Sequence, residues 1–162
     1  MKGTAGVFKL AAACAAAALC SVAHGAQAGT SADELLGDAQ HVLAQLDAGQ
    51  VVAIWEEAAP FVRAKYSADG FESGLVQSRK ALGTVDHRGW AAVTRLTYSH
   101  DKVVPDGLYA NVDYATWLAG GRIVYEKVSF QLGGDGRWHF TGYEPRQSQS
   151  GAPPAAAAQS KQ

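Results

Sequence analysis

The sequence predicts an α+β domain in which three N-terminal helices cover one face of a four-stranded antiparallel sheet. Three observations carry this reading. Apolar residues recur at helical spacing up to Gly83 and at every second position after it. Capping residues punctuate the first half. Glycine clusters separate the later runs, as hairpin loops do.

Ser31-Ala32-Asp33-Glu34 has the Ser-x-x-Glu form of a capping box. Leu35, Leu36, Ala39, Val42, Leu43 and Leu46 then make one amphipathic stripe, and Gly49 can end it. Val51, Ile54, Trp55 and Ala58 make a second stripe. Pro60 kinks or restarts that helix, since proline lacks the N–H and crowds the previous turn, and Phe61 and Val62 continue its face. Ser67 caps a third helix carrying Phe71, Leu75 and Leu82, closed by Gly83.

Beyond Gly83, Trp90, Ala92, Thr94, Leu96 and Tyr98 alternate with Ala91, Val93, Arg95 and Thr97. Leu108, Ala110, Val112, Tyr114 and Thr116 alternate with Tyr109, Asn111, Asp113, Ala115 and Trp117. Val124, Val128, Phe130 and Leu132 share a face with Glu126, and Trp138 shares one with Phe140. Ala119-Gly120-Gly121 and Gly133-Gly134-Asp135-Gly136 read as the turns between them.

The helices can cover only one side of such a sheet, and Leu96, Val112, Val128, Phe130 and Phe140 claim it. The other side would carry Tyr109, Trp117, Tyr125 and Tyr143 among Arg95, Asp113, Lys127 and His139. Aromatics mixed with alternating charge suit association. A homodimer through this outer face could set Asp113 of one copy against Lys127 or Arg95 of the other. The alternative is a solvated face.

Lys2 and Lys9 precede or begin an uncharged Ala-rich run from Leu10 to Ala23, and Ala26-Gln27-Ala28 follows. This is the pattern of a secretory signal peptide over 1–28, with cleavage between Ala28 and Gly29. As a helix the run would reach only about 21 Å, short of a hydrocarbon core of about 30 Å. No stable membrane span is therefore expected. Lipidation at Cys20 is disfavoured, because its bulky neighbour Leu19 stands in the wrong place. Cys14 and Cys20 both leave with the leader, so the mature chain has no thiol for a disulfide, nucleophile or metal. The mature protein is expected in the periplasm or secreted.

At 162 residues the chain fits one domain with tails, assigned to 29–146. Residues 147–162 hold Gln, Ser, Pro, Ala and Gly with one Lys, a composition expected to be disordered. The formal net charge of −1 argues against sequence-independent nucleic-acid binding, which needs a basic surface.

Several segments together resemble a family of small secreted bacterial proteins, the domain of unknown function 4019 family. They are Leu46-Asp47-Ala48-Gly49 with Trp55, Ala58-Ala59 and Phe61; Arg79 with Leu82-Gly83 and Arg88; and Gly107-Leu108-Tyr109. Glu126-Lys127-Val128 and Asp135-Gly136-Arg137-Trp138 leading to Gly142-Tyr143 complete the set. Phe71 departs from the Trp that the family would place there. The resemblance implies a nuclear transport factor 2-like, or cystatin-like, cone: a curved sheet wrapped around helices. It implies no activity, and proteins of that fold include both enzymes and binding modules.

Glu126 is the most informative residue. At an inward strand position it must be paired or protonated. A short turn at 119–121 places Tyr114 or Thr116 opposite it. Arg79 is the preferred cationic partner, with Arg88 next. Glu126, Arg79 and Tyr114 thus form the candidate binding set, and Glu126 is the weak candidate for a general base. The favoured reading is a structural Arg–Glu pair. Asp86-His87 and His100-Asp101 would be some 35 Å apart along one strand at roughly 3.3 Å per residue, too far to share a metal. His41 and His139 fall on outward positions. No phosphate loop, EF-hand or nucleophile elbow is present, so neither metal nor cofactor is expected. The functional expectation is a non-catalytic module binding a small ligand or an envelope protein. An acid–base pocket enzyme of isomerase or hydrolase type, using Glu126, is the alternative.

Overall fold

The computed structural model describes residues 31–148. The expected leader and cleavage site, and the tail from 149 onward, lie outside them. The chain is α+β: helices come first and an antiparallel sheet follows. The helices are α1 (Ala32–Asp47), α2 (Val51–Glu56), α3 (Pro60–Lys65) and α4 (Ala68–Leu82). The strands are β1 (Val85–Tyr98), β2 (Gly107–Leu118), β3 (Ile123–Leu132) and β4 (Trp138–Arg146), hydrogen-bonded in that order.

Among the described residues, four helices stand where three were expected. α2 stops at Glu56, and Pro60 starts α3, occupying the first turn, where its missing N–H costs nothing. The junction has a use. Ala59 N donates to Phe140 O at 2.8 Å and Phe140 N donates to Glu57 O at 3.3 Å. A single parallel bridge, Ala58 to Phe140, thereby covers the free edge of β4. Ser31 and Ser67 cap α1 and α4, their side chains accepting from Asp33 N at 3.1 Å and Gly70 N at 3.2 Å.

Leu35, Ala39, Val42, Leu43 and Leu46 of α1 are buried, with Ile54, Val62 and Leu75 from the other helices. They pack on Ala110, Val112, Val128, Phe130 and Phe140 of the sheet. Phe71 bridges the layers, its ring 5.1 Å from Trp55 and 5.9 Å from Phe140.

Among the described residues the sheet has three register shifts. One falls just before Arg88, between Val85 and His87, and the other two move residues that the sequence pattern had placed. In β1, Trp90 pairs with Tyr114 but Ala92 pairs with Asp113, so one residue is inserted. Val93 then lies opposite the buried Val112 and joins the core, while Leu96 pairs with Tyr109 on the outer face. The expected placement of Leu96 inside is corrected. In β4, Phe130 pairs with Phe140 but Ser129 pairs with Gly142. The inserted Thr141 reverses the alternation, and Tyr143 faces inward beside Val128 instead of outward. Arg95 also changes side, lying opposite the buried Ala110.

Candidate functional site

Two of the three residues expected to carry function, Glu126 and Arg79, belong to one network at the end of the sheet where α1 and α4 terminate. Glu126 lies in the middle of β3 with no exposure. A carboxylate so placed must be neutralised locally. The neutralising cation is Arg88 of β1, whose Nε donates to Glu126 Oε1 at 2.6 Å and whose Nη2 donates to Oε2 at 3.3 Å. Thr116 of β2 donates its hydroxyl to Oε1 at 2.5 Å, and Tyr143 of β4 donates its hydroxyl to Oε2 at 2.6 Å. Each carboxylate oxygen thus accepts two hydrogen bonds, and every strand contributes one residue.

Arg88 extends the network to the helices. Its Nη1 donates to Asp47 Oδ2 at 2.5 Å and its Nη2 to Asp47 Oδ1 at 3.0 Å. Asp47 is the last residue of α1. Arg79, in the last turn of α4, donates from Nε to Asp47 Oδ1 at 2.6 Å and from Nη1 to Gly83 O at 2.8 Å. Two guanidinium groups therefore sit where two helices end, and their charge opposes the negative ends of both helix dipoles.

The expected partner was Arg79, and that is corrected. Arg79 does not touch Glu126; it reaches the carboxylate only through Asp47 and Arg88. The reason is the register: Arg88 pairs with Thr116 on the inner side of the sheet, next to Glu126, whereas Arg79 leaves α4 at the layer's edge. Tyr114 lies opposite Glu126 in the ladder, at the position its turn length implied. Its hydroxyl instead donates to Leu36 O at 3.4 Å. Tyr143 takes the place beside the carboxylate that Tyr114 was expected to hold.

The electrostatics follow from these contacts. Burial pulls the Arg88 guanidinium down, but Asp47 and Glu126 outweigh it and hold its pKa above the ordinary arginine value. Burial pushes the Asp47 carboxyl up, yet hydrogen bonds from Arg88 and Arg79 keep it below the usual carboxylate range. Burial, then the charge of Glu126, pushes the Tyr143 phenol well above its ordinary value. The geometry thus sets the Arg79 and Arg88 guanidinium groups against the carboxyl groups of Asp47 and Glu126, with the Tyr143 hydroxyl as a further donor.

An open cleft of about 550 Å³ lies over Asp47, Arg79 and Arg88, bordered by Thr84 and His87. A neighbouring crevice of about 330 Å³ runs between Leu46, Val51 and Val76. Glu126 lines neither. Among the described residues no three His, Cys, Asp or Glu side chains are grouped to hold a metal. His87 hydrogen-bonds Asp86 at 2.9 Å and stacks on Trp117 at 4.5 Å. The amide of His100 donates to Asp106 at 2.6 Å in the loop at the other end of β1. His41 is 3.0 Å from Gln45 Nε2, and His139 is 3.1 Å from Asp135.

The family model described as Protein of unknown function (DUF4019) matches residues 38–143. The chain belongs to this family. No curated protein and no solved structure matches it. In this member of the domain of unknown function 4019 family, the matched span begins within α1 and ends at Tyr143, so it contains all six residues of the network. Asp47, Arg79, Arg88, Glu126 and Tyr143 all lie in the segments that suggested the family from sequence. Sequence reasoning gave Asp47 no role and set Tyr143 on the outer face, away from Glu126. Asp47 hides among the polar residues that end any helix, and Tyr143 is turned inward by a bulge that alternation does not show.

Proposed function

We propose that this protein is an exported, non-catalytic binding module on a cystatin-like, or nuclear transport factor 2-like, cone. The observation that carries the reading is the saturation of Glu126: two side-chain donors on each oxygen leave no lone pair for a substrate proton. A general base must reach the proton it abstracts. An isomerase or hydrolase working through Glu126 would first have to break this network. The order of helices then antiparallel sheet, with bulges in β1 and β4 that bend their strands, supports the cone.

The export reading rests on the leader pattern at 1–28 and places the mature protein in the periplasm or outside the cell. The working partner is a small ligand or an envelope protein. Self-association through the outer sheet face is the second reading, favoured by the Trp117–His87 stack and by Ile123, 42% exposed beside it. Against it, Asp113 is taken by Arg146 and Lys127 by Glu144 within one chain.

Native mass measurement of protein purified from periplasm tests the proposal. The expected result is a chain beginning at Gly29 that retains a small molecule or a protein partner. An exported chain still beginning at Met1, or conversion of the retained molecule by the purified protein, overturns it.

A further inference from the structure

We propose that the outer sheet face holds a binding groove for a small amphipathic carboxylate, an apolar ring or chain bearing one acidic group. This rests on the binding-module reading and names its site. The groove has a volume of about 360 Å³, within the range of small-molecule sites. It is lined by Tyr98 and Tyr109, set edge to face at 5.1 Å, and by Phe61 of α3 and Val103. The Phe61 ring meets Tyr109 at 6.4 Å.

The Val103 wall is held in place before any ligand arrives. Asp101 Oδ1 accepts from Val103 N at 2.7 Å and Val104 N at 3.1 Å. The loop nonetheless leaves Val103 69% exposed, an apolar side chain facing water at the groove's rim. Tyr66 at the other rim is 51% exposed.

The polar groups in the groove select the ligand's charge. Ser129 donates its hydroxyl to Asn111 Oδ1 at 2.8 Å, which occupies the acceptor of that amide and leaves its two N–H donors. The Tyr109 hydroxyl is spent on Pro105 O at 2.9 Å. Lys127 is neutralised by Glu144 at 2.5 Å. Lys65 has no carboxylate partner among the described residues; its ammonium lies 5.5 Å from the centroid of the Tyr66 ring. The groups left without a hydrogen-bond partner among the described residues are the Asn111 amide donors, the hydroxyls of Tyr66, Tyr98 and Thr141, and one cation, among aromatic and aliphatic side chains. A ligand that complements them brings acceptors, one negative charge and an apolar body. A neutral saccharide would leave Lys65 unanswered.

The test is a titration of the ¹⁵N-labelled protein with 2-naphthoate, with the uncharged 2-naphthylmethanol and with N-acetylglucosamine, followed by amide shifts. Saturable binding of the naphthoate, with the largest shifts at Asn111, Ser129 and Val103, is expected. The alcohol and the sugar should bind at least about tenfold more weakly, and Lys65→Glu should weaken the naphthoate by about tenfold. Lys65 is exposed, so that variant keeps the fold; Trp117→Ala, at the far end of the face, should bind as the parent does. Equal affinity for acid and alcohol, preference for the sugar, or no saturation overturns the groove's assignment. Shifts confined to the Asp47–Arg79 cleft overturn it too, while leaving the binding-module reading standing. Turnover of the molecule retained in the native preparation defeats that reading separately.

Discussion

The hydroxyl of Tyr143 donates to Glu126 Oε2 at 2.6 Å because the inserted Thr141 turns Tyr143 to the inner face. Without that one-residue shift the phenol would point away from the carboxylate, and one oxygen of a fully buried Glu would lose a donor. The bulge is thus part of the charge network as much as of the sheet.

Tyr143→Phe removes one hydrogen bond to a charged group and should cost about 1.5–3 kcal/mol in urea unfolding near neutral pH. The deficit should depend on pH in a defined direction. The folded phenol is held above its unfolded value, so its contribution is complete below about pH 10 and declines as pH rises further. The gap between wild type and Tyr143→Phe should therefore narrow in alkali. A gap that widens there contradicts the assignment.

Arg88 and Arg79 should differ sharply on removal. Arg88→Ala leaves Glu126 buried without its cation and should cost about 3–5 kcal/mol, as should Glu126→Ala with its unpaired donors. Arg79→Ala breaks a partly exposed pair with Asp47 and should cost about 1 kcal/mol or less. Urea midpoints of the three variants decide it. Equal losses from the two arginines would show that Arg79, after all, carries the neutralisation.

Asp47→Asn tests the helix-end contacts through acid. The folded carboxyl is held below its unfolded value, so its contribution is present above about pH 4 and is lost as pH falls through the folded value. Wild type should exceed Asp47→Asn in stability at neutral pH, and the two should converge in acid. Curves that run parallel from pH 7 to pH 2 would remove Asp47 from the network.

On the outer face, the pairs Asp113–Arg146 and Lys127–Glu144 satisfy the charges that a two-fold partner would have needed. Sedimentation at tens of micromolar should give a monomer. A dimer abolished by Trp117→Glu plus Tyr125→Glu would instead establish self-association through this face.

The sequence by itself determined the class of fold, the change from helix to strand at Gly83, and the inward place of Glu126. Each is encoded locally, by periodicity or by a turn residue. The 119–121 turn narrowed the residue opposite Glu126 to Tyr114 or Thr116, because loop length fixes hairpin register, and the ladder selects Tyr114. Only the tertiary structure decided which cation meets that carboxylate. Arg79 and Arg88 both end up near Asp47, and helical phase alone ranks Arg79 first. The packing of α4 against the sheet keeps Arg79 at the rim and gives Glu126 to Arg88. The bulges at β1 and β4 were equally hidden, since an inserted residue changes neither composition nor local propensity. It reverses every side chain beyond it, and so moved Leu96 out of the core, Val93 into it, and Tyr143 onto Glu126.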